Sequence, residues 1–278
     1  MQAAGSTAGR DAERVAGAEA GASGFRAART LIVSDIHLSP HQPRTAAAFL
    51  RFIAAAPQRV GRVVILGDLF EYWAGDDDLD APFHREVGAV FRGLGEAGST
   101  LAIMRGNRDF LMGPAAAADW GATLLEDPER WQPGSDVLLS HGDALCTDDT
   151  DYMAFRAMVR APAWQAEFLA KPLAERKQII EGLRARSESI KGAKPMALMD
   201  VAPDAVRKLF EQSGARVLIH GHTHRPAQHV LKVDGRNCRR VVLTDWDFEN
   251  GASRGGGVLV SPGEDGAVVE VISASQHF

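Results

Sequence analysis

Thr30-Leu-Ile-Val-Ser34 runs directly into Asp35-Ile-His37. A short β-branched run that stops at an acidic residue reads as a buried strand of a parallel sheet. The same arrangement recurs along the chain. Arg62-Val-Val-Ile-Leu-Gly67 stops at Asp68, and Leu101-Ala-Ile-Met104 leads into Gly106-Asn107-Arg108-Asp109. Val137-Leu-Leu-Ser140 leads into His141-Gly142-Asp143, and Val217-Leu-Ile219 passes through His220 into Gly221-His222-Thr223-His224. Helical patterns lie between the first strands, at 45–56 with Phe49, Leu50 and Ile53 in helical spacing, and at about 82–96. Strand alternating with helix predicts an α/β architecture with a largely parallel sheet in the first half.

From about residue 228 the order changes. Strand candidates at 228–233, 239–244, 257–261 and 267–272 follow one another with Gly-rich turns and no helix, which predicts antiparallel pairing there. Two packed sheets flanked by helices accommodate both halves. Residues 151–212 carry no strand signal, and Tyr152, Phe155, Val159, then Ile179, Ile180, Leu183, repeat at helical intervals. From 152 to 208 eleven Lys/Arg stand against six Asp/Glu, a local +5 in a chain of net charge -5.

Composition bounds the class. With 278 residues, 45% hydrophobic, 24% charged and 7% aromatic, the chain is a core-burying globular protein, and disordered or collagen-like classes are excluded. One large domain with an insertion and two domains both fit this length. The acidic balance lacks the basic footprint of a nucleic-acid binder. Cys146 and Cys238 are too few for a disulfide framework and lack Cys-x-x-Cys spacing, so two buried thiols in a reducing cytoplasm are expected. No apolar run approaches the roughly 18 residues that cross a bilayer, so any membrane association would be peripheral. Residues 1–28 hold ten Ala and five Gly interrupted by Arg10, Asp11, Glu13, Arg14 and Glu19. They lack the apolar stretch of a signal peptide and read as a disordered leader; the acidic residues argue against the alternative, a mitochondrial-type presequence.

Strand C-termini in α/β sheets open into a common crevice, and glycine beside each polar cluster lets the backbone turn and approach a ligand. Each cluster alone has a bland reading: Gly-Asp as a turn, Asp35 as a helix cap, His141 as a core histidine. Together they outweigh it, because five of the nine histidines fall in these clusters and packing gives no reason to gather them. Asp35, His37, Asp68, Asn107, His141, His222 and His224 then supply seven N/O ligands. One ion takes four to six, so seven point to two ions, and a donor set without thiolate suits Mn, Fe, Co or Zn. Asp68, alone after the second strand, is the natural bridge between ions about 3.5–4 Å apart.

Asp-x-His, Gly-Asp, Gly-Asn-x-Asp, His-Gly-Asp and Gly-His-x-His, in this order, resemble the signature of calcineurin-like metallophosphoesterases. The resemblance spans about 30–245. It implies a four-layer α-β-β-α sandwich of two mixed sheets, within a domain at 29–278 that carries a helical insertion at about 150–213. It also implies that Asp35, His37, Asp68 and His224 hold one metal and Asp68, Asn107, His141 and His222 the other, with a shared hydroxide attacking phosphorus. Asp68, Asn107, Arg108 and His141 are the expected catalytic set, Arg108 placing a planar charge on the developing phosphate oxygens. Asp109, Asp143 and His220 are expected to orient imidazoles or Arg108.

Longer stretches narrow the likeness. Ser34-Asp-Ile-His-Leu-Ser39, Gly67-Asp-Leu-Phe-Glu-Tyr-Trp73, Gly106-Asn-Arg-Asp-Phe-Leu111, His141-Gly-Asp-Ala-Leu-Cys-Thr-Asp-Asp149 and His220-Gly-His-Thr-His-Arg-Pro226 resemble the UDP-2,3-diacylglucosamine diphosphatases of lipid A biosynthesis. That resemblance implies attack on the α-phosphorus, release of UMP and 2,3-diacylglucosamine 1-phosphate, two manganese ions, and a peripheral position on the cytoplasmic face of the bacterial inner membrane. Substrate contacts would fall on Asn107, Arg108, Asp149, Ser187, Lys191, Lys194 and His222; some relatives carry Asn where Lys191 stands. The insertion offers Arg156, Arg160, Arg184, Arg186, Lys191 and Lys194 among Phe155, Met158, Trp164, Phe168, Ile179, Ile180 and Leu183, a set suited to a diphosphate bearing acyl chains. An ordinary helical subdomain with a solvated basic face is the alternative. Two other functions stay open: a two-metal phosphodiesterase or dinucleoside polyphosphate hydrolase acting on a soluble substrate, and a non-catalytic scaffold, against which the seven filled ligand positions argue. Protein partners are not indicated.

Overall fold

A computed structural model describes residues 26, 28–132, 134–191 and 200–274, without the side chains of 185–191. The expected leader lies almost wholly outside the described residues, as do Lys194 and the side chains of Arg186, Ser187 and Lys191. The chain runs β1 (Thr30–Val33), α1 (Pro43–Ala55), β2 (Arg62–Leu66), α2 (Pro82–Glu96), β3 (Thr100–Met104), α3 (Pro114–Trp120), β4 (Ala122–Leu125), β5 (Glu129–Arg130) and β6 (Val137–Ser140). Then come α4 (Thr150–Val159), α5 (Pro162–Leu169), α6 (Leu173–Lys191), α7 (Pro203–Ser213), β7 (Val217–His220), β8 (Ala227–Val233), β9 (Arg236–Val242), β10 (Gly256–Gly263) and β11 (Gly266–Ser273). Proline opens α1, α2, α3, α5 and α7, where its missing N–H costs nothing. Gly121 and Gly214, left-handed at φ 64° and 67°, close α3 and α7.

Two mixed sheets result, ordered β11-β10-β1-β2-β3-β4 and β5-β6-β7-β9-β8. In the first, β1 to β4 are parallel and β10 joins β1 antiparallel. In the second, β6, β7 and β9 are parallel and β8 joins β9 antiparallel. Antiparallel pairing in the tail thus holds for β8–β9 and β10–β11 but not for β9, which docks parallel to β7. The two hairpins go to different sheets, so each brings one strand to an existing edge.

Alternation along the strands builds four layers. Leu31, Val33, Val63, Ile65, Leu101 and Ile103 face a core under α1, α2 and α3. Their neighbours Ile32, Val64, Leu66, Ala102 and Met104 meet Val137, Leu139, Val217, Ile219 and Val241 between the sheets. Leu138 and Leu218 face the last layer, where Val206 and Phe210 of α7 pack. The α-β-β-α sandwich expected from the sequence is therefore present, with the span 150–213 divided. α7 is the outer layer over the second sheet, whereas Trp164, Phe168, Ile179 and Ile180 of α5 and α6 pack against the first-sheet core. α3, β4 and β5 carry no periodicity that sequence reading resolves: α3 is an alanine run, and β4 and β5 are short and only partly buried.

Because the parallel strands of both sheets end at the same edge, the loops after β1, β2, β3, β6 and β7 converge there. Phe210, fully buried in the last layer, tests the sandwich. Phe210→Ala is expected to lower stability by about 3–5 kcal/mol, read as a shift of the urea-unfolding midpoint at unchanged slope.

Candidate metal centre

The loops at this edge hold side chains inward by an uncommon backbone. Asp35, His37, Asp68, His222 and His224 have φ of 54°, 53°, 52°, 68° and 53°. Left-handed conformation costs a residue with a side chain roughly 1–2 kcal/mol, so five such residues require over-determined surroundings. Backbone bonds supply them. The amides of Asp35, Ile36 and His37 donate to the carbonyls of Gly67, Asp68 and Asp68 at 3.2, 2.9 and 3.0 Å, zipping the first loop to the second. His222 donates its amide to both Asp35 carboxylate oxygens at 3.1 and 2.9 Å, and Trp246 donates to the Asp35 carbonyl at 3.0 Å. Gly106 is obligatory for another reason: a Cβ there would overlap the Asp68 carboxylate. Behind the Asp68 loop, Phe70 packs its ring 5.0 Å from Trp73 and 5.9 Å from Trp120, all three buried.

The donors form two groups, Asp35 with His37 and His224, and Asp68 with His141 and His222; within each, the ligand atoms lie within 4.8 Å of one another. In the first, Nε2 of His224 is 3.4 Å from Asp35 Oδ1 and 3.2 Å from His37 Nε2. In the second, Asn107 Oδ1 lies 3.0 Å from His141 Nε2 and 2.8 Å from His222 Nδ1. Asp68 reaches both, its Oδ1 3.6 Å from His141 Nε2 and its Oδ2 4.0 Å from His37 Nε2. His141 Nδ1 faces the Leu66 carbonyl at 2.8 Å, so it carries the proton and turns Nε2 toward Asn107. Two imidazole nitrogens facing each other at hydrogen-bond distance share at most one proton. A cation with lone pairs on every side resolves that crowding, and the oxygen and imidazole donors fit a pair of divalent ions.

Protonation shows the same demand for positive charge. Burial opposes charging His141, yet the carboxylates of Asp68, Asp143 and Asp35 push it up to about 9. His37 is likewise raised against burial, by Glu71, Asp68 and Asp35. Burial and the His141 charge push His222 down to about 4, which leaves its ring neutral. Asp35 is held well below the usual carboxylate range despite its burial, by His224, His141 and His37.

All seven expected ligands meet at this edge, with Arg108 beside them: its amide donates to Asp68 Oδ1 at 2.8 Å and its guanidinium lies 3.7 Å from Glu71 Oε1. Asp149 sits at the N-terminus of α4, where it accepts from the Tyr152 amide at 3.1 Å. The residues expected to orient imidazoles act differently. Asp109 accepts the backbone amides of Gly106, Leu69 and Asp68 at 2.7, 2.8 and 3.3 Å, so it shapes two loops; burial and the Asp68 charge raise it to about 6. His220 turns to the Gly221 carbonyl at 2.9 Å and to Arg240 at 3.3 Å. Asp143 binds Tyr152 Oη at 2.9 Å, Arg156 at 2.8 Å and Arg160 at 3.4 Å, and Tyr152 stacks on His222 with centroids 5.9 Å apart.

Sequence reasoning missed Glu71, which lies 3.3 Å from His37 Nδ1 and 2.6 Å from Arg184 of α6. It also missed Asp245, 3.6 Å from His224 Nδ1 and clamped by Arg254. Glu71 stands in the Gly67–Trp73 stretch, four residues past its turn, and only three-dimensional proximity marks it.

The profile of the calcineurin-like phosphoesterase family matches residues 28–226, and the chain belongs to that family. Within it, the UDP-2,3-diacylglucosamine hydrolase of Aromatoleum aromaticum is 50% identical over 217 residues, covering 78% of this chain and 88% of that one. The UDP-2,3-diacylglucosamine hydrolase of Cellvibrio japonicus is 47% identical over 221 residues, 79% of this chain and 92% of that one. Among solved structures, the zinc-complexed Vps29 of Entamoeba histolytica aligns with 88% of this chain and 99% of its own at 13% identity, with a TM-score of 0.41.

A folded-state pKa near 9 against an unfolded value near 6.5 makes the His141 contribution to stability fully present below about pH 6.5 and lost as pH rises through about 9. In metal-stripped protein the stability gap between wild type and His141→Gln is therefore expected to shrink across that window, measured by urea unfolding at several pH values. Gly106→Ala is expected to weaken manganese binding more than about tenfold by calorimetric titration, because a Cβ that overlaps both the Asp68 carboxylate and the Asp68 backbone nitrogen forces the Asp68 loop itself to shift.

Proposed function

We propose that this chain hydrolyses the pyrophosphate bond of UDP-2,3-diacylglucosamine, giving UMP and 2,3-diacylglucosamine 1-phosphate, a step of lipid A biosynthesis. The observation that carries the reading is the Asp68 carboxylate between two donor groups, one oxygen toward His141 and the other toward His37. The names of the relatives supply the substrate.

Asp35, His37 and His224 would hold one ion, Asn107, His141 and His222 the other, and Asp68 would serve both. When bound, such a pair lowers the pKa of water toward neutrality and offsets charge on phosphoryl oxygens. Manganese is the proposed native metal; Fe, Co and Zn suit the same donors. Arg108, its amide on Asp68 and its guanidinium near Glu71, directs a planar cation at the phosphoryl oxygens. Water adds to the α-phosphorus and the bond from that atom to the bridging oxygen breaks, so the lipid phosphate departs with that oxygen. Asn107 and His222 touch the diphosphate from the metal side, and Asp149, Ser187, Lys191 and Lys194 are the proposed contacts from the insertion.

Among the described side chains, much of the insertion's positive charge is committed elsewhere. Arg156 and Arg160 neutralise Asp143, Arg184 pairs with Glu71, and Lys177 binds Asp78 at 2.7 Å. Its apolar residues divide in the same way. Phe168, Ile179 and Ile180 join the core, while Phe155, Met158, Leu169 and Leu183 stay 36%, 48%, 39% and 37% exposed. These exposed side chains are the proposed surface for acyl chains and for peripheral contact with the cytoplasmic face of the inner membrane. No helix among the described residues is long and apolar enough to cross a membrane.

Metal-stripped protein given manganese and UDP-2,3-diacylglucosamine in ¹⁸O-water tests the reading. Label is expected in UMP and not in the lipid phosphate; faster turnover of unacylated UDP-sugars would replace the lipid substrate with a soluble one. Asp68→Ala is expected to lose more than about a hundredfold in activity together with metal, read by turnover and elemental analysis.

A further inference from the structure

Around the corner from the metal edge, a cavity of about 230 Å³ is lined by Asp200, Thr223, Arg225, Pro226, Ala227, His229, Arg240 and Val242. It shares a wall with the metal centre, because Thr223 lies between the ligands His222 and His224 and Arg225 follows directly. Its polar groups stand in a fixed order. The Asp200 carboxylate accepts from Arg225 at 3.1 Å on one oxygen, while Arg240 NH1 lies 3.9 Å from the other. Asp200 also accepts its neighbour Val201's amide at 2.8 Å, which pins the carboxylate in this orientation. The second guanidinium is thus poised beside the carboxylate without a hydrogen bond to it, and its NH1 approaches His220 at 3.3 Å. The Thr223 hydroxyl oxygen is buried and has no hydrogen-bond partner among the described residues. Pro226, Ala227 and Val242 add apolar wall for a flat ring.

An acceptor flanked by two donors complements a heterocycle that presents acceptor, donor, acceptor along one edge. Uracil does so through O4, N3–H and O2. Cytosine presents a donor, an acceptor and an acceptor, and would set the N3 lone pair against the Asp200 carboxylate. Inorganic phosphate offers acceptors only and would meet that carboxylate directly. We infer that the pocket formed by Asp200, Thr223, Arg225 and Arg240 is the subsite for the pyrimidine base of the nucleotide half of the substrate, and that it selects uracil over cytosine. This rests on the proposed reaction for its substrate and adds the residues that read the base. The nucleoside then leaves the metal centre past the His222–His224 loop, beside Asp200 near the end of the insertion.

Binding of UMP, CMP, uridine, cytidine and inorganic phosphate to the manganese-loaded full chain, by calorimetry and ligand-observed NMR, tests the subsite. The wild type is expected to favour UMP over CMP by about tenfold, the size of a hydrogen bond to a charged group, and to favour uridine over cytidine likewise. Asp200→Asn is expected to erase that preference, because an amide NH2 can donate to cytosine N3. Arg240→Gln is expected to weaken UMP about tenfold and phosphate little. Thermal melts check that each variant folds, and should one fail to fold the other decides. Equal affinity for UMP and CMP, a preference unchanged in Asp200→Asn, or displacement of uridine by inorganic phosphate overturns the inference. Hydrolysis of UDP- and CDP-linked diacylglucosamine by the same samples separates the two claims. Equal turnover of both removes the subsite and leaves the reaction. Uracil-selective binding without hydrolysis of either removes the reaction and leaves the subsite.

Discussion

A single carboxylate sets the terms for the rest of the molecule. Asp68 faces His141 with one oxygen and His37 with the other, and those histidines come from different sheets. Bringing them together requires two sheets stacked with their parallel strands ending at one edge and loops too short to wander. Five left-handed residues are the local cost. A single strand could not hold one of them against relaxation to ordinary φ. Here the amides of Asp35, Ile36 and His37 are fixed on the β2 loop, the amides of Gly106, Asp68 and Leu69 converge on Asp109, and the amide of His222 is fixed on Asp35. Stability stored in three apolar cores is spent on geometry at this edge.

The helices between β6 and β7 attach to that edge through charge. Asp143, fully buried one turn past β6, takes Arg156, Arg160 and the Tyr152 hydroxyl from α4. Glu71, past β2, takes Arg184 from α6, and buried Arg176 reaches Asp77 and the Ala74 carbonyl. Asp143, fully buried, would be severely destabilising if left alone, so Arg156 and Arg160 are needed where they stand. The positive excess of this segment is therefore in large part a fastening for the insertion, with its chemistry turned inward.

Much of this architecture was legible because the strands carry their chemistry at their ends. Apolar runs closing on Asp35, Asp68, Asn107, His141 and His222 locate the sheets, their direction and the edge in one step. The pairing partner of β9 was not legible, since Gly-rich turns describe the hairpin with β8 but say nothing of β7 on the other side. Nor was Glu71, whose partners stand 34 residues before it and 113 after it. Backbone sign is also silent in sequence: Asp and His occupy positions where glycine would be cheaper, and only the hydrogen-bonded loops explain how they persist there. Asp109 and His220 were misjudged for the reverse reason, because a polar residue beside a ligand can serve the main chain as readily as the ligand.

The ring stack of Phe70, Trp73 and Trp120 behind Asp68 makes the two sides of the ion pair mechanically unequal. The carboxylate side is a stationary jaw, backed by large rigid faces that have nowhere to go. The side carrying His222 and His224 is a short turn held by the His222 amide on the Asp35 carboxylate and by the Gly221 amide on the His141 carbonyl. An ion of different radius would meet less resistance from this turn than from the Asp68 loop or from His141, whose Nδ1 is fixed on the Leu66 carbonyl. Arg108, whose amide rests on the Asp68 carboxylate, belongs to the stationary jaw, so its guanidinium would keep one reference point for any divalent ion the donors accept.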